Sequence, residues 1–269
     1  MPAFTEPDLS AFYGSADRLT ARTSALHAAK TAGQDATATI TTLAARHISS
    51  GQVVCEIGCG RGTTALALAA ALAPRTLIAL DQSAALLDVL RARFAATGYT
   101  AAAVRADFHR LPLYGASVDL VVAAFCLYHS PKPRAVLAEI RRCLTPGCAV
   151  VLATKSADSY RQIDDLIVAS GLDPDVAMRP SPWAAFHSGN AAALTDPVLP
   201  VHEVEHQRHE FRFPDLAHLA AYAATSPAYR LPTRLAADPG ALAAELRRRV
   251  PDRPLTATST VTYLTATRP

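Results

Sequence analysis

The sequence predicts a doubly wound α/β fold, on three observations. From Val53 onward, short apolar runs alternate with longer stretches of helical periodicity. The first run, V-V-C-E-I, passes into three alternating glycines, Gly58, Gly60 and Gly62, and then into an alanine- and leucine-rich helix. The run V-D-L-V-V-A-A at 118–124 is apolar nearly throughout, as a strand is when helices cover both faces of its sheet.

Residues 1–50 read as helical and amphipathic, interrupted near Gly14 and Gly33. Strands are expected at about 52–57, 76–81, 100–105, 118–124 and 148–154, with helices at about 63–73, 83–97 and 132–144. Alternating units of this kind give a parallel sheet joined by right-handed crossovers. After Thr154 the rhythm changes. A helix is expected over 156–170, followed by the proline- and aromatic-containing segment M-R-P-S-P-W-A-A-F-H from Met178 to His187. A long alternating strand follows at about 201–213, then helices near 214–225 and 238–249, and a last strand, T-S-T-V-T-Y-L-T-A-T. The late strands read as an antiparallel pair separated by a helical insertion, bringing the sheet to seven strands. No stretch reads as a linker, so 1–269 is expected to be one domain: an N-terminal helical arm (1–50), a ligand-binding core (51–155), and cap insertions with the last two strands (156–269).

The 269 residues are 50% hydrophobic and 18% charged, which suits a chain that buries a core. No apolar run is long enough to span a bilayer and the first residues, M-P-A-F-T-E-P-D, carry no signal-peptide pattern. The expectation is a soluble cytoplasmic protein without a membrane partner. Cys55, Cys59, Cys126, Cys143 and Cys148 contain no C-x-x-C pair, and an odd count argues against a complete disulfide framework. They read as reduced thiols in or near the core. A net charge of +3 is too small to argue for nucleic acid, and the run Arg247-Arg248-Arg249 reads as a solvated helix end where cations complement the dipole.

The glycine turn carries the chemistry. A strand that turns sharply there brings backbone N–H groups and the following helix N-terminus to a ligand. Dinucleotide sites want G-x-G-x-x-G with a pyrophosphate on the helix N-terminus. Here the third glycine comes one residue early, and the preceding acid, Glu56, would repel a pyrophosphate but attract an ammonium group. Asp81 ends the second strand, where a carboxylate can accept hydrogen bonds from both ribose hydroxyls; otherwise Asp81 or Ser83 caps the next helix. Asp107 and Phe108 follow the third strand, and F-C-L-Y-H-S-P-K-P leaves the fourth.

The pattern E-x-G-x-G-x-G, followed in order by these acids and the strand-4 exit, resembles the class I S-adenosylmethionine-dependent methyltransferases, in their small-molecule branch. The resemblance covers about 50–155 well and the remainder loosely. Cys148 departs from it, standing where the family usually has a second glycine after Pro146-Gly147. It implies the Rossmann-like methyltransferase fold, S-adenosyl-L-methionine as cofactor, and a cofactor site made by Glu56, Gly58, Cys59, Gly60, Gly62, Asp81, Gln82 and Ala124. It also implies Asp107 near the adenine amino group, Phe108 against the ring, and Tyr13 closing over the cofactor from the N-terminal arm.

Methyl transfer from a sulfonium is an in-line displacement, so no nucleophilic triad is required. Candidate bases are His129, at the exit of strand 4, His187, Tyr128 and, more weakly, Tyr160. Each has a plainer alternative: a loop histidine bonded to backbone, or a helix start at His187-Ser188. His202, His206 and His209 look like a metal cluster, but strand alternation puts His209 on the face opposite the other two. They read as polar outer-face residues, and no metal is expected. Tyr13, Trp183, Phe186, Tyr222 and Tyr229 could line an apolar acceptor pocket or simply pack cap against core. Nucleic acid is disfavoured: the strand-4 exit has no Asp-, Asn- or Ser-Pro-Pro-aromatic motif, there is no Pro-Cys pair, and lysines occur only at Lys30, Lys132 and Lys155. The functional expectation is metal-independent methylation of a small organic molecule, in bacterial specialised metabolism, by a monomer or homodimer. Rivals are aminocarboxypropyl transfer or cyclisation of the cofactor, a non-catalytic cofactor-binding partner protein, and a nicotinamide oxidoreductase.

Overall fold

The computed structural model describes residues 16–49 and 51–269. Chain order begins with α1 (Ala16–Ala29), a three-residue strand β1 (Lys30–Ala32) and α2 (Ala36–Ala45). The Asp35 carboxylate starts α2 by accepting from Ala38 N–H at 2.8 Å. The core follows as β2 (Val53–Ile57), α3 (Thr63–Leu72), β3 (Thr76–Asp81), α4 (Ala84–Ala95), β4 (Ala102–Arg105), β5 (Val118–Ala124), α5 (Pro133–Cys143) and β6 (Leu144–Lys155). Beyond it come α6 (Arg161–Ala169), the short α7 (Ala191–Thr195), β7 (Val201–Phe213), α8 (Leu216–Ala223), α9 (Thr233–Ala237), α10 (Pro239–Arg249) and β8 (Leu255–Thr267).

The strands form one sheet in the order β1-β7-β8-β6-β5-β2-β3-β4. Strands β2 to β6 run parallel, and β8 and β7 join antiparallel at the β6 side. The seven expected strands are therefore present in a doubly wound arrangement. The eighth, β1, lies in the stretch read as helical, where the chain turns at Gly33 and Lys30 pairs with Phe211 at the sheet edge. Two boundaries also move. Strand β6 begins at Leu144, which pairs with Val118, ahead of Pro146-Gly147. Helix α6 begins at Arg161, not near Ser156, because Tyr160 takes a φ of 65° that a helix interior does not hold. The short helices α7 and α9 were not expected, each being under two turns with little periodicity to read.

Strand alternation sorts the core onto two faces. Val54, Leu120 and Val122 pack with Ile40, Leu68 and Leu90 of α2, α3 and α4. Cys55, Ile57 and Val121 face the other way, onto Val136, Leu137 and Ile140 of α5. A third cluster joins α1 to the late helices through Leu26, Ile163, Ile167, Phe213, Leu219 and Leu246. Each such side chain contributes about 1.5–3 kcal/mol through removal from water. All five cysteines are free thiols, four of them buried. Arg248 and Arg249 both reach Glu245 and Arg247 reaches Asp252 at 2.7 Å, so the basic run is neutralised on and beside its own helix end. No helix among the described residues is long and apolar enough to cross a membrane.

The segment between α6 and α7 is pinned by an ion pair. Asp173 is 5% exposed and takes both guanidinium nitrogens of Arg179, one at 2.9 Å, together with Arg230 N–H at 2.7 Å. Burial alone would raise this carboxyl, but the Arg179 and Arg230 contacts outweigh it and hold it below the usual carboxylate range. Removing the guanidinium leaves a buried carboxylate half satisfied. Arg179→Met is expected to destabilise the protein by about 2–3 kcal/mol in urea unfolding, and adding Asp173→Asn to recover part of that loss.

Candidate functional site

The carboxyl ends of β2, β3, β5 and β6 open into a cavity of 660 Å³, walled on its other sides by α1 and the late insertions. This is where an open α/β sheet receives ligands. The turn after β2 is fixed by Cys59 N–H donating to Leu80 O at 3.0 Å and Gly62 N–H donating to Cys59 O at 2.9 Å. Gly60 N–H donates to Asp81 Oδ2 at 2.8 Å, and Ser83 N–H donates to Asp81 Oδ1 at 2.8 Å. Each oxygen keeps a second lone pair for a ligand hydroxyl. Ser83 caps α4, accepting from Leu86 N–H at 3.3 Å, so Asp81 supports the turn without being the cap itself.

Two of the glycines have different reasons to be glycine. Gly60 has φ 52°, lies on the cavity wall, and a Cβ there would meet nothing within 4 Å. The missing side chain is therefore open space at the cradle. Gly62, at φ 79°, is not on the wall; a Cβ would come within 2.7 Å of Leu90, so this position lets α3 close against α4. The turn also meshes with the β5 exit, since a Cβ on Gly58 would lie 2.5 Å from Cys126 Cβ.

Beneath the turn lies Glu56, 2% exposed. Ala65 N–H and the Thr64 hydroxyl donate to its carboxyl, yet Oε2 has no hydrogen-bond partner among the described residues. Burial, reinforced by the negative charge of Asp81, pushes this acid up to about 8. A buried acceptor atom without a donor, next to a glycine cradle, fits a ligand that brings an ammonium group.

Gln82, Cys59, Ala124, Phe108 and Ala106 also stand on the cavity wall. Asp107 does not. Its carboxylate accepts from His109 N–H at 2.9 Å and contacts His109 Nδ1 at 2.8 Å, which ties it into its own loop. Tyr13 lies outside the described residues. Tyr128 and His129 are on the wall, edge to face at 4.5 Å. Burial, and then the Arg22 cation, push His129 down to about 3, leaving a neutral imidazole too weakly basic to match a proton transfer near pH 7. His187 is not on the wall: its Nδ1 accepts from Gly189 N–H at 3.1 Å in the turn that leads to α7. The helix-start alternative describes it better than a base does.

Of the aromatic side chains, Trp183, Tyr222 and Tyr229 line the cavity, whereas Phe186 is 1% exposed in the cluster beside α5. His202 and His206 bond the Thr267 and Thr262 hydroxyls on β8, as outer-face residues do. His209 corrects the outer-face expectation: it is 3% exposed on the cavity wall. It shares the alternation of Phe211 and Phe213, and that signal was readable. Lys155, Arg22, Arg179 and Arg230 were missed as wall residues as well. Lys155 could have been found, because it ends an apolar strand at the ligand-binding edge. The three arginines are brought there by long-range packing. No group of three or more His, Cys, Asp or Glu side chains placed to hold a metal occurs among the described residues.

Residues 54–147 match the family described as a methyltransferase domain. That stretch is a methyltransferase domain. A malonyl-[acyl-carrier protein] O-methyltransferase of Marinomonas sp. (strain MWYL1) is 35% identical over 121 residues, 45% of this chain and 44% of that protein. The chain thus spans under half the length of this curated relative. A crystal structure of a methyltransferase of Bacillus halodurans C-125 superposes with a TM-score of 0.62 at 16% identity, over 87% of this chain and 99% of that one. Geranyl diphosphate C-methyltransferase of Streptomyces coelicolor A3(2), solved with S-adenosyl-L-homocysteine, gives 0.52 at 14% identity, over 86% and 79%. At these identities the structural likeness carries the fold. The orphaned Glu56 oxygen and the open cradle at Gly60 fit the amino-acid end of S-adenosyl-L-methionine.

The two glycines separate binding from folding. Gly60→Ala is expected to unfold within about 1–2 kcal/mol of the parent, the strain of a left-handed alanine, while S-adenosylhomocysteine binding by calorimetry falls more than about tenfold. Gly62→Ala is expected to lower stability by about 2 kcal/mol or more, because Leu90 and α4 must move.

Proposed function

We propose that the protein transfers the methyl group of S-adenosylmethionine to a small organic acceptor, by in-line displacement and without a metal. The bound cofactor would supply an electrophilic methyl group. The chain's own residues bind and align. Glu56 receives the amino group, and the turn at Gly58, Cys59 and Gly60, whose Cys59 and Gly60 N–H groups are held by Leu80 O and Asp81, leaves open space at Gly60 for the amino-acid end. Asp81 and Gln82 hold the ribose, while Phe108 and Ala106 cover the adenine. Asp107, tied to His109, is left to shape that loop. Ala124 and Phe125 at the β5 exit form the wall between cofactor and acceptor, and Tyr128 and His129 serve as polar contacts. Enclosure within aromatic walls excludes water from the reacting groups.

The observation that carries this reading is the buried Glu56 oxygen without a donor among the described residues, at an acid-glycine turn inside the stretch that matches the methyltransferase domain. The small-molecule acceptor rests on the cavity: 660 Å³ falls among small-molecule sites, about 300–1,000 Å³, and its apolar walls include Trp183, Tyr222 and Tyr229. One curated relative is named as an O-methyltransferase, which favours oxygen as the methylated atom. We further read the chain as one methyltransferase unit with a cap, acting in the cytoplasm as a monomer or homodimer, in bacterial specialised metabolism.

Product analysis tests this. With S-adenosylmethionine and a panel of small acids, phenols and amines, S-adenosylhomocysteine is the expected coproduct, with a gain of 14 mass units (~CH₂) on the acceptor. Methylthioadenosine in its place would assign aminocarboxypropyl transfer or cyclisation. Tight cofactor binding without turnover across the panel would assign a non-catalytic partner.

A further inference from the structure

Lys155 ends β6 next to the β5 exit and lines the cavity. Its ammonium nitrogen stands among three rings, 4.8 Å from the centroid of Tyr160, 5.6 Å from that of Phe125 and 5.9 Å from that of Trp183. It donates to the Tyr160 hydroxyl at 2.8 Å, its single hydrogen bond among the described residues, and it forms no ion pair with a carboxylate there. An ammonium has three donors, so two remain idle. Burial in this box, and then the Arg22 cation, push Lys155 down to about 7.

No carboxylate among the described residues, Glu56 and Asp158 of the cavity wall included, forms an ion pair with Lys155, and three others of that wall are engaged elsewhere. Asp81 is held by Gly60 and Ser83, Asp164 accepts from the Tyr229 hydroxyl at 2.9 Å, and Asp35 caps α2. A second unfilled group belongs to the same wall. His209 Nε2 is buried without a hydrogen-bond partner among the described residues. Its ring is joined to Tyr160 through Phe211, at 6.5 Å and 5.3 Å between centroids, and Lys155 lies within its electrostatic reach. A buried cation with idle donors is unfavourable unless an anion completes it. Cation–π contacts offset part of that and leave the counter-charge missing.

We propose that Lys155, between Phe125, Tyr160 and Trp183 and with His209 beside it, is the acceptor subsite, and that the acceptor presents a carboxylate or comparable oxyanion to its ammonium. This rests on the methyl-transfer reading and names the acceptor's class: a small organic acid with an apolar body. Charge-assisted hydrogen bonds from the ammonium supply selectivity over neutral analogues, and the three rings hold the apolar part.

The test uses the whole chain loaded with S-adenosylhomocysteine. Binding of benzoate, cinnamate and octanoate is measured by calorimetry against benzamide, cinnamamide and octanamide. At least one acid is expected to bind about tenfold or more tighter than its amide. Lys155→Met is expected to abolish that preference with S-adenosylhomocysteine affinity unchanged, and Lys155→Arg to retain part of it. Acids that bind no better than their amides, or not at all, would overturn the proposal. So would a preference that survives Lys155→Met, or a tenfold loss of S-adenosylhomocysteine affinity in that variant, which would place the ammonium on the cofactor. The wild-type comparison decides alone if the variant does not fold. Wild type that fails to bind S-adenosylhomocysteine would sink the methyl-transfer reading, a separate result.

Discussion

A buried carboxyl group, one of whose oxygens meets no donor among the described residues, is the constraint around which this fold is arranged. Glu56 sits at the end of β2, the strand flanked by β3 and β5 in the parallel part of the sheet. Its burial requires the strands on both sides and the first turn of α3 above it. Because its proton affinity is raised in the folded state, the empty protein binds this proton more tightly than the unfolded chain does. The sign follows: folding is favoured at low pH by this group, and stability falls by about 1.4 kcal/mol per pH unit from the ordinary glutamate value up to about 8. A ligand ammonium reverses that effect. The same group therefore weakens the empty protein at neutral pH and, in the proposed reading, selects the cofactor.

The cavity has two electrostatic ends. At the core end stand the two carboxyl groups of Glu56 and Asp81, acceptors suited to the amino group and hydroxyls of a nucleoside-amino-acid cofactor. At the cap end, Lys155, Arg22, Arg179 and Arg230 stand among aromatic rings, with His129 and His209 held neutral by burial and neighbouring cations. Burial acts on both ends but in opposite directions, raising the acid and lowering the bases. The β5 exit, with Phe125 at φ 56°, separates them and meshes with the glycine turn through Cys126. The Asp173–Arg179 pair pins the segment that forms the far wall of the cavity.

The core was legible because its signals are local. Each of β2 to β5 lies within two residues of its expected position, since apolar runs bounded by turns mark buried strands. The turn geometry was legible too, as alternating glycines permit few backbone paths. What sequence order hides is contact at long range. Asp107 sits where an adenine-binding acid is expected, but a histidine two residues on captures it. His129 sits at the right strand exit, but burial and Arg22 remove its basicity. Lys155 was only one of three lysines until the sheet placed it at the β6 edge and the cap brought Tyr160 and Trp183 around it. The short strand β1 was hidden because three residues carry no periodicity, and its pairing is with β7, about 180 residues away.

The central claim is that Glu56 is protonated in the empty site and ionised against the cofactor's ammonium group. Calorimetry of S-adenosylhomocysteine binding between pH 6 and 7.5, in buffers of different ionisation heat, measures it. The account predicts release of about one proton per cofactor bound and an affinity that rises up to about tenfold per pH unit toward 8, both lost in Glu56→Gln. Binding without proton release, at an affinity independent of pH and unchanged in Glu56→Gln, would contradict it.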